Sequence, residues 1–242
     1  MQPVRYLITI GVCGFWMATI AAQLPVPVQS AVSAYRRAVK TVDSRQQGTG
    51  VEPTFNAFRA LRTVLTHHDG LEALTEQQFD EVRSLKGVIV SRDEAIYVQP
   101  DVRFFGELAR AHGDAADRAF FAALKATYPD SVWPAYIEQQ TDDTGCTRFG
   151  SLSVAAAYVR WVGFRKRYPT RYSDEATEHA RAAFERLTGS TCACGDAVGV
   201  ERELEQALRD VHAPVPRAAV ERRLQEVRAG RADIRGHCHS GD

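Results

Sequence analysis

Four lysines in 242 residues, against 26 arginines, is the first scarcity of this chain; the second is the lack of any recognised catalytic signature. Lys40, Lys86, Lys125 and Lys166 are the whole lysine set, and that bias reflects a GC-rich, bacterial coding sequence rather than chemistry. There is no GxGxxG, no GxxxxGK(S/T), no HExxH and no GxSxG, so dinucleotide, P-loop, zincin and α/β-hydrolase chemistry have no local foothold. Neither sign of charge is in excess: 30 basic residues meet 30 acidic ones. That balance excludes a nucleic-acid footprint and an acidic solvating tail. Ser, His and Asp are all present, yet no motif orders them into a triad.

One long uncharged run exists, and it stands at the N-terminus. Arg5 precedes Tyr6 to Ala22, and Thr19-Ile20-Ala21 offers a small-x-small cleavage site. This is the pattern of a secretory signal peptide, which predicts a periplasmic or secreted protein. Uncleaved, residues 6–22 would anchor the chain in the inner membrane, at the short end of a spanning length. Pro25 and Pro27 would stop such a helix. The domain expectation is therefore a signal segment over 1–22, an N-terminal helix with a polar linker over 23–50, and one helical domain over 51–242.

The exported part reads as all-α. Val28, Val32, Tyr35, Val39 and Val42 recur on one helical face, as do Phe55, Phe58, Leu61 and Leu65. Thr75 and Gln78 make a capping box ahead of Phe79, Val82 and Leu85. Val88 to Val90 and Ile96 to Val98 are the only strand-like pieces, enough for one small hairpin resting on a helix. Gly113 closes one helix and Asp114 caps the next. Further helices run from about Ser153 to Tyr168, from a Ser173 cap, and through Val200, Leu204, Leu208 and Val211, then Val220, Leu224 and Val227. Helix, proline, short gap and helix recur at Pro129, Pro169 and Pro214. This resembles helical-hairpin repeats of the HEAT or tetratricopeptide kind, and implies either stacked hairpins or an irregular bundle.

Cysteine usage follows from export. Cys146, Cys192, Cys194 and Cys238 are an even set in a compartment where disulfides persist. Cys192 and Cys194 are too close to bridge each other without strain. Two pairings remain: Cys146 with Cys192 and Cys194 with Cys238, or Cys146 with Cys194 and Cys192 with Cys238. Either way two disulfides staple the fold and tether its C-terminal tail. A metal-binding alternative uses Cys192, Cys194, His237, Cys238 and His239 as thiolate and imidazole ligands. Thr144-Gly145-Cys146-Thr147-Arg148 resembles the SHGC(I/V)R signature of L,D-transpeptidases over five residues. Thr144 stands where that family has histidine, so a Cys146 nucleophile lacks its base.

Three surface constellations complete the reading. Glu138 with Asp142 or Asp143 supplies the two carboxylates a cell-envelope hydrolase needs. His67-His68-Asp69 reads as a polar helix end, because adjacent side chains on a helix diverge. Arg160, Arg165, Lys166, Arg167 and Arg171 form a basic face whose aromatic neighbours, Tyr158 and Trp161 among them, belong to the core. That face is the expected binding surface for a protein partner or an anionic envelope component. The sequence thus points to an exported, non-catalytic helical binding or scaffold module. It names no cofactor, no nucleic acid and no oligomeric state, and membrane contact only through an uncleaved N-terminus.

Overall fold

The computed structural model describes residues 23–44, 50–67, 70–92, 96–128 and 148–238. Within them lie nine helices and one two-stranded antiparallel hairpin. In chain order these are α1 (Val26–Asp43), α2 (Glu52–Thr66), α3 (Glu76–Arg83), β1 (Val88–Ser91), β2 (Tyr97–Pro100), α4 (Val102–His112) and α5 (Ala115–Thr127). They are followed by α6 (Ser153–Arg167), α7 (Ser173–Gly189), α8 (Ala197–Asp210) and α9 (Pro214–Arg228). The all-α expectation with one small hairpin is met. No helix among the described residues is long and apolar enough to cross a membrane. The expected signal segment, 1–22, lies outside the described residues, as does most of the Ser44–Gly50 linker.

The helices pair in chain order: α1 with α2, α4 with α5, α6 with α7, and α8 with α9. The α6–α7 hairpin stacks on the next one helix upon helix, α6 against α8 and α7 against α9, and its α6 also meets α5. The apolar face read for α1 is the buried one (Val28, Val32, Tyr35, Val39, Val42). It enters the same core as α2, so residues 23–43 are part of the first core rather than an appended arm. The hairpin pairs Val88 with Pro100 and Ser91 with Tyr97, and rests on α2 and α3 as so small a sheet requires.

Two cores result. The first is aromatic: Phe55 is ringed by Phe58, Phe105, Phe120, Phe121 and Tyr172 at centroid distances of 5.3–5.9 Å. The second is built from Val, Leu and Ala of α6 to α9 around Phe149 and Tyr158. The α6–α7 hairpin serves both. Val154, Ala155, Ala157 and Tyr158 of α6 face the second core and Trp161 and Phe164 the first, while Ala176 and Ala180 of α7 face the first and Ala183 and Leu187 the second.

Local signals behave as the sequence implies, with one exception. Thr75 and Gln78 form the capping box, and Asp114 with Asp117 forms another after Gly113. Ser173 is not the cap of α7. The cap position is Tyr172, held at φ 49°, and its N–H donates to Glu52 Oε1 at 2.5 Å. Glu52, from the start of α2, thus fixes the residue that precedes α7, and no side chain caps the first-turn N–H groups of that helix.

Candidate functional site

Placing the basic face first separates its members. Arg165, Lys166 and Arg167 are exposed in the last turn of α6, where cations complement the helix dipole, and Arg160 is half-buried. Arg171 stands apart from them. Its Nε donates to Glu52 Oε2 and its Nη1 to Asp114 Oδ2, both at 2.5 Å, and Nη2 donates to Asp117 Oδ1 at 2.9 Å. Asp117 is fully buried and also accepts from the N–H groups of Val51 and Asp114 and from the Tyr172 hydroxyl. Three helix N-termini, those of α2, α5 and α7, converge on this cluster. Its second and third carboxylates therefore answer positive helix ends as well as one guanidinium. Arg171 ties three helix starts together through these ion pairs.

The cysteines resolve in part. Cys192 and Cys238 form a disulfide with Cα atoms 5.6 Å apart. It is the one bridge among the described residues, where two were expected. Cys146 lies outside those residues, and Cys194 is not free. The bridge pins the C-terminal tail, which also threads by backbone hydrogen bonds along the loop after α7: Ala193 N–H to Arg235 O, and Arg235 N–H to Thr191 O. Two sulfurs bonded to each other cannot serve as thiolate ligands, so the metal reading loses Cys192 and Cys238. No group of three or more potential metal-ligating His, Cys, Asp or Glu side chains occurs among the described residues, and His239 lies outside them. The hydrolase carboxylates Glu138, Asp142 and Asp143, and His68 with Asp69, also fall outside.

A concavity lies elsewhere, between the hairpin and α7. It is a cleft of about 690 Å³. Ile96 to Pro100 of β2 and its approach form one wall, Glu175, Glu178, His179, Ala182 and Arg186 of α7 the other. Phe55, Leu124, Val102 and Tyr128 close it from α2, α4 and α5, and Arg62 and Arg181 stand on its α7 side. Glu175 and His179 are four apart on one face of α7, which is why both turn inward.

Each of these two groups is already committed. Glu175 is buried; Arg59 Nε lies 2.9 Å from its Oε2 without the alignment of a hydrogen bond, and Arg62 Nη1 lies 3.7 Å from its Oε1. Burial raises its carboxyl above the usual carboxylate range despite Arg62 and Arg59. The imidazole of His179 stacks on Trp161 at 4.5 Å, and its Nδ1 shares a 3.1 Å hydrogen bond with the Tyr128 hydroxyl. Burial first, then the positive charges of Arg62, Arg186 and Arg59, push it down to about 3. His179 is therefore neutral at any ordinary pH. Either tautomer leaves its buried Nε2 with a hydrogen-bonding capacity that nothing among the described residues uses.

A third buried acid supports the fold. Glu203 of α8 is fully buried beneath the N-terminus of α6. Its Oε1 accepts from Val154 and Ala155 N–H at 2.8 and 2.9 Å, and its Oε2 from Gly150 N–H. Leu152, at φ 69°, precedes α6 without any side-chain cap of its own. Glu203 supplies that cap in trans, satisfying donors that a helix start leaves open. Burial raises its pKa even against these backbone donors.

Sequence reasoning missed Glu175, His179 and Glu203, and the signal was available. Glu203 interrupts the Val200–Leu204–Ala207 stripe, and His179 sits beside the Ala176–Ala180 stripe, on faces that should be apolar. Compared with known proteins, the chain matches no family model, no curated protein and no solved structure.

Proposed function

We propose that this chain is an exported, non-catalytic helical binding module whose ligand site is the cleft between the hairpin and α7. The observation that carries the reading is the state of the cleft's reactive groups. A catalytic site keeps a base or nucleophile poised near the operating pH. Here the imidazole is locked neutral between Trp161 and Tyr128, and the carboxyl is held by two arginines. Thr66, the one aliphatic hydroxyl among the described lining residues, donates its proton to Arg62 O at 2.9 Å. What remains is a shaped hollow with an apolar wall and fixed polar groups, the ordinary anatomy of a small-molecule site.

Export and the disulfide belong together in this reading. With Cys192 joined to Cys238, the second bridge is Cys146 to Cys194, and the N-terminal segment delivers the chain to a compartment where both form. Intact mass of the protein from its native envelope, before and after reduction, checks this: four hydrogens missing and residues 1–22 removed is the expected result.

Filling the hollow tests the function. Ala182 of α7 lines the cleft and is half-buried. The Ala182→Trp variant is expected to melt close to wild type while losing the fluorescence enhancement of the uncharged probe N-phenyl-naphthylamine. Undiminished probe binding by a folded Ala182→Trp protein would remove the cleft as the site.

A further inference from the structure

The charges that line the cleft answer one another. Arg62 faces the buried Glu175 at 3.7 Å, Arg181 pairs with Glu185 at 2.9 Å, and Arg186 is not free. Glu178 adds an exposed acid to the same lining. The lining thus asks for no net charge in an occupant. The main chain of β2 is a different matter. Ile96 to Pro100 line the cleft without a break. Successive side chains of a strand point to opposite faces, so an unbroken run marks a cleft that follows the edge of the strand. β1 occupies the other edge, and among the described residues no strand lies on this one.

The register says which groups that edge presents. Asp101 N–H donates to Gly87 O at 3.0 Å, one step beyond the Val88–Pro100 pair. Opposed residues of an antiparallel pair alternate between hydrogen-bonded and not, so Gln99 and Tyr97 also turn their main-chain groups to β1. Val98 and Pro100 turn theirs outward. Val98 offers an N–H and a C=O, and Pro100 a C=O alone, which suits proline to an edge. Among the described residues no other backbone segment bonds to these groups.

We propose that a short extended peptide with uncharged side chains docks in the cleft as a third strand on β2, pairing with the N–H and C=O of Val98. The proposal rests on the cleft being the binding site and adds the chemistry of its occupant. Cross-strand neighbours share a face, so the peptide residue opposite Val98 turns its side chain as Val98 does, toward the first core. Phe55, Val102 and Leu124 line the cleft on that side. Its two neighbours turn to the other face with Tyr97 and Gln99, which are half-exposed. Alternate apolar and polar residues therefore fit, over the about 13 Å that the four residues of β2 extend. Main-chain hydrogen bonds supply affinity in such an addition, and the alternate side chains supply selectivity.

The probe is a pool of acetylated, amidated pentapeptides with Val, Leu, Ile or Phe at the even positions and Ser or Thr at the odd ones, added to the isotope-labelled full chain. Members that displace N-phenyl-naphthylamine are expected. The tightest of them, at about ten times its Kd, is expected to slow hydrogen exchange of the Val98 amide about tenfold. The Tyr97 and Gln99 amides, already turned to β1, should keep their rates. Methylating the amide nitrogens of the even positions, or those of the odd ones, should then split the pool's best member in two. One set should weaken binding about tenfold and the other be tolerated, because only one row of amides faces β2. Equal effects of the two sets, or a Val98 amide left unprotected in the complex, would overturn strand addition. A pool with no displacing member, while Ala182→Trp still blocks the naphthylamine, would overturn the peptide and leave the cleft standing. Probe binding that Ala182→Trp does not touch would overturn both. A chain that dimerises in sedimentation without peptide, and protects Val98 as it does so, would make a second copy the occupant and overturn the peptide reading.

Discussion

Each core of this molecule has a fully buried carboxylate at a helix start, Asp117 beside the first and Glu203 in the second, and the two are satisfied in opposite ways. In the first, Asp117 meets a countercharge: Arg171 reaches it together with Glu52 and Asp114, and Tyr172 adds a hydroxyl. In the second, the contacts to Glu203 are backbone N–H groups at the start of α6. One solution ties three helix ends with an ion network, the other closes one helix end with a single side chain. An ion network fails when one partner goes, because the remaining charges stay buried. A helix end needs an acceptor more than it needs a charge. The second core also carries the Cys192–Cys238 disulfide, while the first relies on packed aromatic rings. The difference predicts distinct weaknesses for the two halves.

The largest effect belongs to the disulfide. It closes a loop of 46 residues, and replacing both Cys192 and Cys238 by serine should cost about 4 kcal/mol in the chain-entropy limit. Hydrogen exchange should show the loss in α8 and α9 while α1 and α2 stay protected; uniform loss would mean the cores are not separate in stability. Next, Arg171→Met should cost about 3 kcal/mol in urea unfolding, since Asp117 is left buried without its cation.

Acid should act through His179. Its native pKa is depressed to about 3 from 6.5, so below pH 6.5 the unfolded chain takes up a proton that the native one refuses. Stability therefore falls as pH drops from 6.5 toward 3, by about 2 kcal/mol at pH 5 from this group. Glu175 and Glu203, both raised, run the other way: their native forms bind protons more readily than the unfolded chain and gain stability toward acid. His179→Gln should remove the imidazole's share of the acid loss, visible as a flatter acid limb of the melting temperature. The smallest effect is Glu203→Gln, which keeps an acceptor at the start of α6 and should cost about 1 kcal/mol. A cost equal to that of Arg171→Met would erase the distinction between the two buried acids.

Much of this fold was legible because its signals are local. The valine stripe of α1, the phenylalanine stripe of α2, the Thr75–Gln78 box and the Gly113–Asp114 junction each depend on neighbours in the chain. What escaped depends on partners far away in it. Arg171 reads as one more cation beside Arg165 to Arg167, yet Glu52, 119 residues distant, claims it. Ser173 reads as a cap, yet Tyr172 holds the cap position and its N–H goes to Glu52. The cleft was invisible because β2 and α7 meet across space. The trace in the sequence was a titratable residue on a face that should be apolar, His179 or Glu203.

The most direct test of the cleft as the functional site is an NMR titration of the full chain with anilinonaphthalene sulfonate, following backbone amides and histidine ring resonances. Shifts concentrated at His179, Tyr128, Val98 and Ala182, with Arg165 to Arg167 unmoved, are the predicted result. Shifts concentrated at the last turn of α6, with His179 silent, would contradict the account and return the binding role to the basic face.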